Sequence, residues 1–141
     1  MSVVGSSLMF PSGGGIPEIL GFHIGNIGSS SIANVGSTFI TADNNYFTVS
    51  NNNTFVCQKA GTYTVYYGGK SCYMNAGYRR DAVVYVYVNE SSVANFTTSG
   101  TWFEVRTVQV TLGVGDTVAI KGKNAASSSN LEPLFMIVSH E

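Results

Sequence analysis

The sequence has little charge, and this scarcity excludes several classes of protein. Charged residues make up 11% of the 141-residue chain and hydrophobic residues 44%, whereas an average soluble domain is about 25% charged. A disordered chain or a charged coiled coil is therefore excluded. The formal net charge of -1 provides no attraction to phosphate backbones or anionic lipid. We expect one folded domain with no nucleic-acid partner.

Long apolar runs are also missing. No stretch approaches the roughly 20 apolar residues that a membrane-spanning helix needs, and the first residues lack the basic start and apolar block of a secretory signal. We expect no membrane insertion, and either a chain that is cytosolic when made and assembled inside the cell that makes it, or one cut from a longer chain.

Cysteine is scarce as well, because Cys57 and Cys72 are the only two. A strand beginning near Gly61 and running to Tyr67 would hold them roughly 20 Å apart. The Cα atoms of bridged cysteines lie within about 7 Å of each other. Two free thiols are therefore predicted.

Groupings that carry catalysis or metal binding are absent from the sequence. His23 and His140 are the only histidines, and neither has carboxylates or cysteines at metal-ligand spacing. No Gly-x-Ser-x-Gly elbow, Cys-His pair or Asp-rich calcium loop occurs. Asp116, which follows Gly115, is interpreted as a turn residue whose side chain satisfies its own backbone. We expect no enzyme activity, no metal and no cofactor.

What the chain does contain is β-branched residues and short apolar runs. It has 17 valines, 8 isoleucines and 12 threonines against 5 leucines, a composition that favours strands. Apolar runs separated by Gly, Asn, Ser and Asp predict ten strands and an all-β sandwich, barrel or jelly roll. The predicted strands lie within 19–25, 37–43, 45–50, 54–58, 62–68, 82–89, 92–98, 102–113, 117–123 and 133–138.

The first 17 residues differ from the rest. Residues 1–10 form a small apolar leader, and 11–17, PSGGGIP, have the glycines and flanking prolines of a hinge. We therefore divide the chain into a leader and hinge, 1–17, and a head domain, 18–141. The apolar side chains expected to attach the leader to another protein are Val3, Val4, Leu8, Met9 and Phe10.

Two of the predicted strands are apolar on both faces. Along 82–89, Tyr85 and Tyr87 point away from the alternating valines, and along the last strand Phe135 and Ile137 point away from their apolar neighbours. One face of a sandwich strand fills the core, so a second apolar face requires another covering layer. We predict that Tyr85, Tyr87, Phe135 and Ile137 form an interface between copies. A loop or the N-terminal segment of the same chain is the alternative cover.

One loop, 70–81, combines aromatic rings with guanidinium groups. Tyr73, Tyr78, Arg79 and Arg80 suit stacking on sugars or binding carboxylates. The alternative is that Arg79 and Arg80 are ordinary solvated charges that pair with Asp81.

Five segments follow one another in a recognisable order, with an F-x-C-x-x-x-G-x-Y spacing and a late G-D hairpin. They are 40–46 (ITADNNY), 55–66 (FVCQKAGTYTVY), 86–89 (VYVN), 110–120 (VTLGVGDTVAI) and 135–138 (FMIV). Over about 21–138, these segments resemble the trimeric jelly-roll superfamily of tumour necrosis factor and the globular heads of complement. Similar heads occur in bacterial spore-surface collagen-like glycoproteins, with an entry comparable to 35–39, VGSTF.

The resemblance implies a jelly-roll sandwich of about eight to ten strands and a homotrimer packed around a threefold axis through aromatic faces. We expect a non-enzymatic projection on a particle surface, a fibre or decoration protein of a bacteriophage virion, whose N-terminus binds a capsid or other particle-surface protein. The alternative is a lectin-like adhesion head on a virion, spore or cell, with the 70–81 loop binding glycans.

Overall fold

The computed structural model describes residues 18–27, 30–73, 79–100, 102–124 and 133–141, with backbone only for 72–73 and 79–80, and this part of the chain is all β. The strands are β1 (Gly21–Asn26), β2 (Ala33–Asn34), β3 (Phe39–Ala42), β4 (Phe47–Val49), β5 (Phe55–Cys57), β6 (Gly61–Gly69), β7 (Cys72–Tyr73), β8 (Arg79–Arg80), β9 (Ala82–Val88), β10 (Ser91–Thr97), β11 (Glu104–Leu112), β12 (Thr117–Asn124) and β13 (Pro133–His140).

The strands form two antiparallel sheets. Sheet I has the order β11-β6-β13-β1-β3, and sheet II has the order β10-β9-β12-β5-β4, with β2 paired to β12. Strands β7 and β8 form a separate two-stranded pair. Neighbours within a sheet are mostly distant in sequence, as in a jelly roll. The predicted all-β jelly-roll sandwich is confirmed.

Each of the ten predicted strands is present. The structure adds three strands of two residues each, β2, β7 and β8. A two-residue strand is too short to show an alternating pattern, so the sequence offers no signal for it.

The core lies between the two sheets and is built by alternation along the strands. On β6, Tyr63, Val65 and Tyr67 face inward, and on β9, Val84 and Val86 do so. Cys57 is a buried free thiol in this core, as predicted, and donates to the Lys59 carbonyl at 3.1 Å.

Two turns hold the ends of the hairpins. Asn89 and Glu90 both have positive φ, 49° and 68°, between β9 and β10, and Gly115 has φ 92° between β11 and β12. Asp116 accepts hydrogen bonds from the Gly113 N–H at 2.8 Å and from the Asn89 amide at 3.2 Å. These bonds lower the pKa of Asp116. Its predicted turn role is confirmed.

Candidate interaction surfaces

The four residues predicted to form one interface lie on two opposite sides of the sandwich. Phe135 and Ile137 project outward from sheet I, whereas Tyr85 and Tyr87 project outward from sheet II. Alternation showed correctly that all four point away from the core. It could not show to which sheet each strand belongs, because that depends on pairing between distant segments.

On sheet I, the outward apolar side chains form a second cluster. Tyr66, Phe135 and Ile137 are buried in it, and it is completed by the half-buried side chains of Phe22, Ile24, Phe103 and Val105. Phe22, Ile24, Phe103, Phe135 and Ile137 also line a cavity of about 150 Å³ with apolar walls. Tyr66 was not among the predicted interface residues, although its position out of phase with the inward Tyr63, Val65 and Tyr67 is a signal for an outward ring.

Over the described strands, no strand residue on the outward face of sheet I carries a charge. Residues directly opposite one another on antiparallel strands share a face, so the strand register identifies the members. We define the sheet I face, over the described strands, as Val105, Thr107, Gln109 and Thr111 on β11, Thr62, Thr64 and Tyr66 on β6, Phe135, Ile137 and Ser139 on β13, Phe22 and Ile24 on β1, and Phe39 and Thr41 on β3. None of these side chains is ionisable near neutral pH.

The edges of the sheet I face remain open. Phe39 is 52% exposed, with its ring 5.9 Å from that of Phe22. At the opposite edge, the Lys70 ammonium lies 5.3 Å from the Phe103 ring centroid. The apolar surface therefore extends to β3, the strand at the edge of sheet I that carries the exposed Phe39.

Gly68 makes room for the centre of this cluster. A Cβ at this position would lie 2.1 Å from the Glu104 carbonyl oxygen and 2.8 Å from the Phe135 ring. The absence of a side chain therefore allows the Phe135 ring to lie against β6. Any larger residue at 68 would displace it.

On sheet II, Tyr85 and Tyr87 form a pair of half-buried rings. Their centroids are 6.2 Å apart with an interplanar angle of 69°. The Lys121 ammonium lies 4.6 Å from the Tyr87 ring centroid and 3.6 Å from the Glu90 carboxylate. Unlike the strand residues of the sheet I face, those on this side of sheet II include the charged Lys121.

The 70–81 loop is only partly described. Tyr78 lies outside the described residues, and Tyr73, Arg79 and Arg80 are described by backbone alone, with Tyr73 opposite Arg79 on β7 and β8. The structure therefore does not test whether these side chains converge. The attachment residues Val3, Val4, Leu8, Met9 and Phe10 also lie outside the described residues.

The base of that loop is fixed by a buried hydroxyl network. Ser71 donates to the Asp81 carboxylate at 2.8 Å, and its hydroxyl lies 2.7 Å from that of Thr98. Thr98 also accepts from the Ala82 N–H at 2.9 Å. These bonds connect both ends of the loop to the end of β10.

The two histidines lie apart and differ in environment. His23 is fully buried, its Nε2 is 3.1 Å from the Gly36 carbonyl oxygen, and desolvation lowers its pKa. His140 is exposed and pairs with Glu18 at 3.3 Å.

Across the described ranges, no three His, Cys, Asp or Glu side chains are grouped to hold a metal ion. That part of the chain also has no helix able to span a membrane.

Comparisons with solved structures confirm the fold. The chain is similar to the crystal structure of rabbit GITRL, with a TM-score of 0.53 and 10% identity over 84% of this chain and 94% of that one. It is also similar to Eiger TNF from S. frugiperda, with a TM-score of 0.53 and 12% identity over 89% and 94%. No protein-family model matches the sequence, and neither does any curated protein.

Proposed function

We propose that this TNF-like head is a non-enzymatic homotrimeric projection on the surface of a particle, a bacteriophage virion, anchored by residues 1–17. The observation that carries the proposal is the uncharged sheet I face with its apolar cluster. The cores of protein interfaces are depleted of charge and rich in aromatic residues. The TNF-like fold supports a threefold arrangement, because the sequence resemblance implies one.

The interface between copies is assigned to the sheet I face, centred on Phe135 and Ile137. The cavity beside them would be filled by side chains of the neighbouring copies. Tyr85 and Tyr87 are not part of this interface in the proposal, because they lie on the other sheet next to Lys121. A threefold ring of identical contacts closes on itself and leaves the sheet II side of each copy outward.

The proposal is tested by placing a charge on the sheet I face at a position where folding does not depend on the side chain. Thr107 is exposed and lies opposite Tyr66 on the neighbouring strand. We expect the full chain to sediment at about 45 kDa, three times 15.0 kDa, and Thr107→Lys to sediment as a monomer, because three buried ammonium groups would be desolvated.

Thr48→Lys is the matched control. Thr48 is an exposed strand threonine on the other sheet, so this variant should remain trimeric. A monomeric wild-type chain at micromolar concentration, or a trimer unaffected by Thr107→Lys, would contradict the assignment.

The lectin-like alternative, glycan binding through Tyr73, Tyr78, Arg79 and Arg80, remains a prediction from sequence. The hydroxyl network at Ser71 and Thr98 supports this alternative because the network fixes the base of the loop. A spore or cell surface is the alternative location. Capsid genes beside this gene would favour the virion, and spore-coat genes would favour the spore.

A further inference from the structure

The outward side of sheet II combines aromatic rings, neutral hydrogen-bonding groups and two ammonium groups. The register places Asn95 opposite Tyr85 and Ser92 opposite Tyr87 on β10. On the other flank, β12 places Lys121 opposite Tyr85 and Lys123 opposite Val83. We define the sheet II face as Asn34, Val83, Tyr85, Tyr87, Ser92, Asn95, Thr97, Ala119, Lys121 and Lys123.

The two rings are partly accessible to a ligand, with the Lys121 ammonium over one face of the Tyr87 ring. Tyr85 and Tyr87 are half-buried, and exposed side chains of Ser92, Asn95 and Thr97 border them on one side. A ring edge or face bordered by amide and hydroxyl groups matches a sugar, whose C–H face is apolar and whose hydroxyls both donate and accept hydrogen bonds.

The charge on this face is unbalanced. Lys121 and Lys123 lie two residues apart on β12 and therefore share the face. Glu90, at its edge, is the acidic group that contacts Lys121. Among the described side chains, no carboxylate forms an ion pair with Lys123. The excess of positive charge favours a ligand that carries a carboxylate.

We propose that the sheet II face binds an acidic saccharide. Tyr85 and Tyr87 stack on the sugar, Asn95 and Ser92 bind its hydroxyls, and Lys121 with Lys123 binds its carboxylate. The site is complete within one chain, so it is independent of the proposed trimer. It shares no residue with the 70–81 loop. In a trimer, three such sites would face outward and raise the avidity for a multivalent surface.

The proposal is tested on an array of sialylated and uronate-containing oligosaccharides, each printed beside its neutral counterpart, followed by titration calorimetry with the acidic saccharide bound best. We expect Tyr85→Ala or Tyr87→Ala to weaken binding by roughly tenfold each. The double variant Lys121→Gln, Lys123→Gln should remove the preference for the acidic form, and added salt should weaken wild-type binding.

Three controls keep the outcomes distinct. Trp102→Ala removes an aromatic ring that is 56% exposed but lies outside the sheet II face, and it should bind as wild type does. Tyr85→Phe with Tyr87→Phe should retain most affinity, which separates lost stacking from misfolding. The monomeric Thr107→Lys variant should keep the affinity of a single site, so the failure of the trimer proposal would not remove this one.

Several results would overturn the inference. One is silence across the whole array by folded protein, and another is binding that survives both tyrosine-to-alanine substitutions. Equal affinity for acidic and neutral partners would refute the role of the lysines. Capture of an acidic peptide, with no saccharide bound, would show a protein partner instead.

Discussion

At the scale of single residues, the burial of His23 predicts that the head is less stable in acid. Its ring is fully buried, and the neighbouring strands place the apolar Met136 and Ile40 opposite it. Desolvation therefore lowers the pKa of His23 in the folded state below its usual value of 6.5. The unfolded chain then binds more protons than the folded chain as the pH falls through that value, so stability is present above pH 6.5 and is lost below it.

We expect the free energy of unfolding to fall as the pH decreases below 6.5, by at most about 1.4 kcal/mol for each pH unit from this one group. Urea titrations of the wild type and His23→Gln at several pH values measure this dependence. The free energy of unfolding of the variant should change less with pH than that of the wild type. An identical slope in wild type and His23→Gln would refute this assignment.

At the scale of elements, the β9–β10 turn carries a residue that is poorly suited to its backbone. Glu90 has φ 68° and Asn89 has φ 49°, the pair of left-handed conformations for which asparagine followed by glycine is preferred. We expect Glu90→Gly to raise the free energy of unfolding by about 0.5–1 kcal/mol. The opposing terms are the higher backbone entropy of glycine and the loss of the exposed pair with Lys121.

Chemical denaturation of Glu90→Gly and Glu90→Gln measures this balance. The glutamine variant keeps the backbone strain and removes the charge, so it reports the ion pair alone. A lower stability for the glycine variant than for the glutamine variant would show that the turn is not strained.

Strands and turns were largely predictable from the sequence, whereas their assignment to sheets was not. Alternating valines and tyrosines marked β9, and the apolar run marked β13, because both signals lie within a few residues. The sheet order joins β13 to β6 and β1, which are distant in sequence. For this reason Phe135 and Ile137 were correctly identified as outward-facing, but their neighbours Tyr66 and Phe22 were missed.

At the scale of the whole molecule, the two outer faces differ in charge. The strand residues of the sheet I face carry none, with Lys70 at its edge beside Phe103, whereas the sheet II face has Lys121 and Lys123 on its strands. This asymmetry fits a head whose copies associate through one side and present the other. Sequence composition alone gives a net charge of -1 and hides the difference, which arises only when the strands are arranged in space.

The anchoring role is a prediction about the molecule as a whole. Removal of residues 1–17 should leave a soluble trimer, because the described sandwich begins after them. In cells that produce the particle, the shortened chain should fail to co-purify with it, whereas the full chain should do so. The control is the full chain with Val114→Ala, an exposed turn residue. Equal incorporation of both lengths would refute anchoring by the leader.

The buried thiol of Cys57 gives the sandwich an internal reporter. Its sulfur is in the core between the sheets and bonds to the Lys59 carbonyl, so an alkylating reagent can reach it only when the two layers separate. In a chain with Cys72→Ser, Cys57 is the only thiol, so the rate of its covalent labelling would report how often the native head opens. This measurement works under conditions where almost all of the protein is folded.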